Sequence, residues 1–258
     1  MNHTTSAVND TAPAITDARR VIVNADDFGM SDGVNAGIIT AHRLGIVTST
    51  SLMVDRPGAA DAVAMARTVA PHLSIGLHLE LIEHQVVNGN WVTSREEIDI
   101  NDARQIEAAT REQLDRFVDL VGMHPTHLDS HQHAHLAGAA GPVVANIAAE
   151  WDLQLRSVTL PYRGSFYGQY GVGIAYRDGI TPAALVAAVG AGGDSLVEVG
   201  CHPAQVIDFA DTYGAERLIE LRSLCDDEVS LAIEMAGVEL VSRTGRTHSR
   251  ESAYPVGS

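Results

Sequence analysis

Short, almost wholly apolar runs alternate along this chain with longer segments whose apolar residues return every three or four positions. Val21 to Asn24 is the first such run and suits a buried strand. Ser31 offers an N-cap to a helical pattern from Asp32 to Leu44, with Gly45 as its stop. Thr48 to Val54 is β-branched and strand-like, Pro57 to Ala70 reads as a helix opening at a proline, and Leu73 to Leu81 reads as a strand. Asn101 to Val121 predicts a long amphipathic helix with Ile106, Leu114, Phe117, Val118 and Val121 on its apolar side. Strand-like segments recur at Thr126–Ser130, Leu153–Val158, Leu196–Val199 and Val238–Val241. Strand–helix alternation without repeats or a linker predicts a parallel sheet, most simply a complete or degenerate (β/α) barrel, with a doubly wound sheet as the competing topology. The expected organisation is a flexible tail over residues 1–20, one barrel domain over 21–242 and a second flexible tail over 243–258.

Residues with chemistry to offer fall at one edge of that predicted sheet. Asp26 and Asp27 directly follow the first strand, and His78 lies in the third, on the face shared with Gly76 and Glu80. The ten residues from Thr126 to His135 hold Asp129 and four of the 12 histidines, His127, His131, His133 and His135. Cys201-His202-Pro203 follows the strand near Val199. All these groups lie at C-terminal strand ends, where parallel α/β folds build active sites. Imidazole and carboxylate together are the ligands of a catalytic divalent metal, although a short histidine-rich run also suits a solvated loop.

A net charge of −16, from 33 acidic and 17 basic residues, argues against nucleic acid or an anionic membrane as partner. Two cysteines make no disulfide framework, so a cytoplasmic setting is expected. The first residues lack an apolar signal core and no run approaches about 18 apolar residues, so neither a secretion signal nor a membrane span is expected.

Asn24-Ala25-Asp26-Asp27-Phe28-Gly29, Gly45-Ile46-Val47-Thr48-Ser49-Thr50, Gly76-Leu77-His78-Leu79 and Thr126-His127-Leu128-Asp129-Ser130-His131-Gln132-His133 together resemble the YdjC-like carbohydrate deacetylases. That family includes chitooligosaccharide deacetylases and a deacetylase of hopanoid biosynthesis. The resemblance runs in order from about Val21 to about Pro203. It implies a degenerate (β/α) barrel, one divalent metal ion, and removal of the acetyl group from an N-acetylated sugar. Position by position, Asp27, His78 and His131 match the metal-binding residues and Asp26 the general base. His202, in a His-Pro pair like a C-terminal family motif, is the candidate general acid. Helix capping is the alternative use of the Asp26-Asp27 pair, and Ser31 or Asp32 serves it better. Ligand preference points to Zn2+, while the resemblance keeps Mg2+ open.

Asp129 could orient a ligand imidazole or meet substrate, and His133 could line the pocket. Arg156 could contact a polar substrate group or pair with a carboxylate, and its distance from Pro161 departs from the family's shorter Arg-x-Pro spacing. Tyr162, Phe166, Tyr167, Tyr170 and Tyr176 lie in a glycine-rich stretch suited to stacking on sugar rings or to loop packing. Residues 88–100 read as an inserted loop and a candidate lid. A cysteine hydrolase built on Cys201 and His202 is disfavoured, because strand neighbours face opposite ways. Another metal-dependent hydrolase, acting on a phosphoester or cyclic amide, and a non-catalytic sugar-binding protein are the alternatives. An acetylated sugar is the expected partner, and a homodimer is the candidate assembly.

Overall fold

The computed structural model describes residues 19–88, 90–95 and 98–251. Apart from Arg19 and Arg20, the expected N-terminal tail lies outside them, as do residues 252–258. The chain runs β1 (Arg19–Phe28), α1 (Asp32–Leu44), β2 (Ser49–Leu52), α2 (Ala59–Val69) and β3 (Ser74–Leu79), then the hairpin β4 (Glu83–Val87) and β5 (Asn90–Arg95). After α3 (Ala103–Val121) come β6 (His127–Ser130), α4 (Ala140–Glu150), β7 (Gln154–Leu155), β8 (Tyr162–Arg163) and the small hairpin β9 (Gln169–Tyr170) and β10 (Ile174–Ala175). Then follow α5 (Pro182–Gly190), β11 (Leu196–Cys201), α6 (Gly214–Leu224), α7 (Asp227–Met235) and β12 (Val238–Leu240). The main sheet is parallel, in the order β7-β6-β3-β2-β1-β11-β8, with β12 beside the start of β1.

Five strand steps separate β7 from β11, about 24 Å across a flat sheet at about 4.8 Å per step. Yet Arg156, directly after β7, places Nε 2.8 Å from Glu198 Oε1 on β11. An arginine and a glutamate cannot bridge the flat distance, so the sheet curls. No ladder joins β7 to β8 among the described residues, which makes this a degenerate (β/α) barrel rather than a doubly wound sheet.

Alternation along each strand separates two environments. Val21, Val23 and Ala25 of β1, Leu77 and Leu79 of β3, Leu128 of β6 and Val197, Val199 and Cys201 of β11 join the apolar layer under the helices. Helix α3 adds Ile106, Leu114 and Phe117 to that layer, each fully buried and each contributing about 1.5–3 kcal/mol. The intervening positions face the barrel interior, where Asn24, Asp26, Ser51, His78 and Asp129 are linked by hydrogen bonds and Arg156 joins Asp26 to Glu198.

Helix α1 begins and ends where the pattern places it, with Ser31 Oγ accepting the Val34 N–H. Strand β1 continues past Asn24 to Phe28. By contrast β7 stops at Leu155, short of the expected Val158: Ser157 takes φ of 60°, and a tight turn closes by its N–H donating to the Leu160 carbonyl. Residues 243–251 of the expected tail pack on the domain, through an antiparallel bridge between Val241 and Thr247, a 3.0 Å hydrogen bond from His248 Nε2 to the Gly45 carbonyl, and a 2.6 Å bond from the Glu251 N–H to the Arg43 carbonyl.

Candidate active site

Two consecutive carboxylates reach one cavity because β1 is bulged. Its register against β2 shifts between Ala25 and Phe28, and Asp27 takes φ of 69°, a left-handed conformation that aspartate tolerates better than most residues. Asp26 and Asp27 are both buried and both line the cavity.

Asp27 Oδ1 lies 3.4 Å from His78 Nε2 and 3.3 Å from His131 Nδ1. Donors about 2.0–2.1 Å from a tetrahedral metal stand about 3.3–3.4 Å apart, so these residues suit one small divalent cation with room left for other ligands. The donor set itself, one carboxylate and two imidazoles, fits zinc chemistry. Sheet register assists: His78 and Asp129 are paired residues of β3 and β6, and His78 Nδ1 donates to Asp129 Oδ1 at 2.7 Å. That hydrogen bond fixes the ring with Nε2 turned toward Asp27. Burial alone would lower the His78 pKa, but Asp129, Asp27 and Asp26 around it lift it to about 10. Asp26, His78 and Asp129 form a second compact group. The guanidinium of Arg156 already occupies it, 2.6 Å from both carboxylates, and would repel a cation.

Arg156 is wholly buried. Its two terminal nitrogens donate to the two Asp26 oxygens at 2.6 Å each, and its Nε donates to Glu198. Asn24 Nδ2 adds a 2.8 Å bond to Asp26 Oδ1. Burial raises the Asp26 pKa, yet the Arg156 charge and hydrogen bonds bring it below the ordinary value. Of its two expected uses, Arg156 therefore takes the carboxylate pairing and stands behind Asp26, away from the cavity.

His202 follows β11, with Nε2 3.8 Å from Asp26 Oδ2 and Nδ1 3.8 Å from Glu220 Oε1. Its own N–H donates to Glu220 Oε2 at 2.5 Å, and Tyr167 and Tyr213 meet its ring edge-on. Burial would lower its pKa, but Glu220, Asp26 and Asp27 raise it above the ordinary value. Cys201 turns outward into the apolar layer, where burial pushes its thiol pKa well up; it cannot pair with His202 as nucleophile.

The remaining histidines separate. His133 faces the cavity against Tyr162, and burial beside Arg156 holds it near a pKa of about 4. His127 is buried against Gly76, where a Cβ would meet its ring at 2.3 Å. His135 is fixed by Ser130 Oγ and the Arg156 carbonyl. Within the aromatic stretch, Tyr162 and Tyr167 line the cavity, Phe166 is core, and Tyr170 and Tyr176 are exposed. The candidate lid is in part the tip and second strand of the β4–β5 hairpin. His84 and Thr93 of that hairpin line the cavity, and the His84 backbone exchanges two hydrogen bonds with Gln132.

Sequence reasoning misses α6. Arg217 donates to Asp27 Oδ2 at 2.7 Å and to Asp211 at 2.5 Å; burial would raise the Asp27 pKa, but the Arg217 charge, with His131 and His78, holds it well below the ordinary carboxylate value. Glu220, one turn on, supports His202. The only signal was spacing, since Glu216, Arg217, Glu220 and Ser223 are buried on one helical face.

The cavity, about 740 Å³, falls within the roughly 300–1,000 Å³ of small-molecule sites. The sequence model of a family described as YdjC-like protein matches residues 20–235. A chitooligosaccharide deacetylase of Citrobacter koseri is 33% identical over 252 residues, 87% of this chain and 98% of that one. A crystal structure from Enterococcus faecalis V583, of a protein named for cellobiose-phosphate cleavage, aligns with a TM-score of 0.71 at 26% identity, covering 88% of this chain and 98% of that one. A family 4 acetyl xylan esterase of Clostridium thermocellum, solved with a cobalt ion, shares the fold at a TM-score of 0.51 and 14% identity, over 88% of this chain and 89% of that one. With the match spanning nearly all of the barrel, the chain belongs to the YdjC-like protein family.

Proposed function

We propose that this protein is a metal-dependent carbohydrate N-deacetylase, hydrolysing the acetamido group of an amino sugar to acetate and the free amine. The observation that carries the reading is the Asp27–His78–His131 donor group standing beside the Asp26–His202 pair in one cavity. The name of the Citrobacter koseri relative makes a chitooligosaccharide the first substrate to try.

Asp27, His78 and His131 would hold the ion, Zn2+ or Mg2+, which when bound supplies Lewis acidity toward the acetyl carbonyl and its developing negative charge. Asp26, kept ionised by Arg156, accepts the proton of the attacking water. His202, charged through Glu220, donates its proton to the nitrogen of the departing amine, so that the C–N bond breaks without expelling an amide anion. Asp129 keeps the His78 ring in its tautomer and orientation. Tyr162, Tyr167 and His133 offer ring faces and edges to the sugar.

The test is acetate release from N,N′-diacetylchitobiose by metal-loaded protein. The native chain releases acetate; Asp26→Asn loses it by about 10²- to 10⁴-fold with its metal retained, and His131→Ala loses the metal as well. Native protein that hydrolyses a generic phosphoester and no acetylated sugar would replace this reading with a phosphoesterase. Metal-loaded protein that binds the sugar without turnover would make it a binding protein.

A further inference from the structure

Arg243 enters the barrel from the end opposite the cavity. It lies beyond the residues matched by the family model, 20–235, just after β12, and the Val241 N–H donates to the Val21 carbonyl at the start of β1. A turn from Ser242 to Arg246, with Gly245 at φ of 77°, fixes the backbone on either side. The side chain has no solvent exposure: Nη2 lies 2.5 Å from Glu198 Oε2, and Nη1 donates to Gln154 Oε1 at 3.2 Å.

Glu198 thus stands between two arginines. Its Oε1 receives Arg156, and its Oε2 meets Arg243. Arg156 is shared in turn among Glu198, Asp26 and Asp129, three buried carboxylates around one guanidinium. A buried carboxylate missing one partner keeps its desolvation penalty and competes for whatever cation is in reach. Without Arg243, the cation in reach of Glu198 is Arg156, and a bidentate pair with Glu198 would draw its fork off Asp26.

We propose that Arg243 is a positioning residue for the deacetylation step: by occupying the second oxygen of Glu198, it keeps the Arg156 fork on Asp26. The inference rests on Asp26 being the base, and it gives the C-terminal segment a role in the reaction from the far end of the barrel.

Crystal structures of the full native chain and of Arg243→Gln test it without any substrate. In the native chain both Arg156 arms hold Asp26; in the variant Arg156 turns onto both Glu198 oxygens and Asp26 keeps at most one bond. An unmoved Arg156 overturns the inference. Kinetics of metal-loaded protein give the second readout. Arg243→Gln loses roughly tenfold in kcat, the scale of lost outer-shell support, with KM and bound metal unchanged. The double variant Glu198→Gln with Arg243→Gln leaves no unpaired charge to burden folding, and its kcat returns toward native, because a neutral amide at position 198 cannot draw Arg156 away. It decides the matter even if the single variant does not fold. A single variant of native kcat, or a double variant as slow as the single, overturns the inference. Silence of the native chain toward acetylated sugars would count against the deacetylase reading, while the two crystal structures would still decide this one.

Discussion

Asp129 and Glu220 never touch the cavity, yet each sets the state of a histidine that does. Asp129 takes the His78 Nδ1 proton into a 2.7 Å hydrogen bond, so Asp129→Asn loosens ring orientation and ligand basicity together. Metal affinity should fall about 10- to 100-fold, read by chelator competition. Native affinity in that variant would show that His78 needs no such support. Glu220 acts on His202, whose pKa burial would lower and Glu220, Asp26 and Asp27 raise. A histidine raised in this way holds its proton to higher pH than a free imidazole and loses it as pH climbs, so kcat should fall on the alkaline side. Glu220→Gln should move that fall to lower pH. Superimposable kcat profiles for the two proteins would remove His202 from the acid role.

At the scale of elements, β3 and β6 are locked by a glycine. A Cβ at position 76 would lie 2.3 Å from two ring atoms of His127, which is buried with nowhere to go. Gly76→Ala should cost about 1–3 kcal/mol in denaturant unfolding, and Gly76→Ala with His127→Ala should cost less than the sum of its parts. Strict additivity would rule out the clash. The strands were legible because their outward faces are apolar runs, and α1 because its cap and periodicity coincide. The end of β1 was not: Asp26 and Asp27 read as lying after a strand that ends at Asn24, whereas the bulged strand runs on to Phe28. Asp27, His78 and His131 were legible because their order along the chain carried a family resemblance. Arg217 and Glu220 were not, since Arg and Glu on a helix ordinarily mark a solvated face; here that face closes over the barrel mouth. Likewise Arg243 reads as part of a polar tail until the ion pair with Glu198 is seen.

For the whole molecule, acid stability is set by histidines held neutral. Burial lowers the pKa of His42 to about 4 and of His133 to about 4, and it also lowers His127, His135 and His248. Unfolding restores values near 6.5, so below that pH the unfolded chain binds more protons and is favoured, increasingly down to about 4. Asp26, Asp27 and Asp129, held below the ordinary carboxylate value, extend the loss further into acid. His78 and His202 are raised and work the other way, contributing stability below 6.5 that fades as pH rises. Calorimetry from pH 7 to 4 should show Tm falling well before the carboxylate range; a flat Tm to pH 5 would show the buried histidines titrating freely. Motion at this scale does not reach every part of the site equally. His78, His131 and His202 sit on separate elements, and thermal breathing of an open-seamed barrel alters their distances from one another. Asp26 and Asp27 are joined by a single peptide unit within the bulge of β1. The shared peptide fixes the distance between their backbones, so under the proposed mechanism heating or loosened packing should blunt proton delivery by His202 before it disturbs proton removal by Asp26.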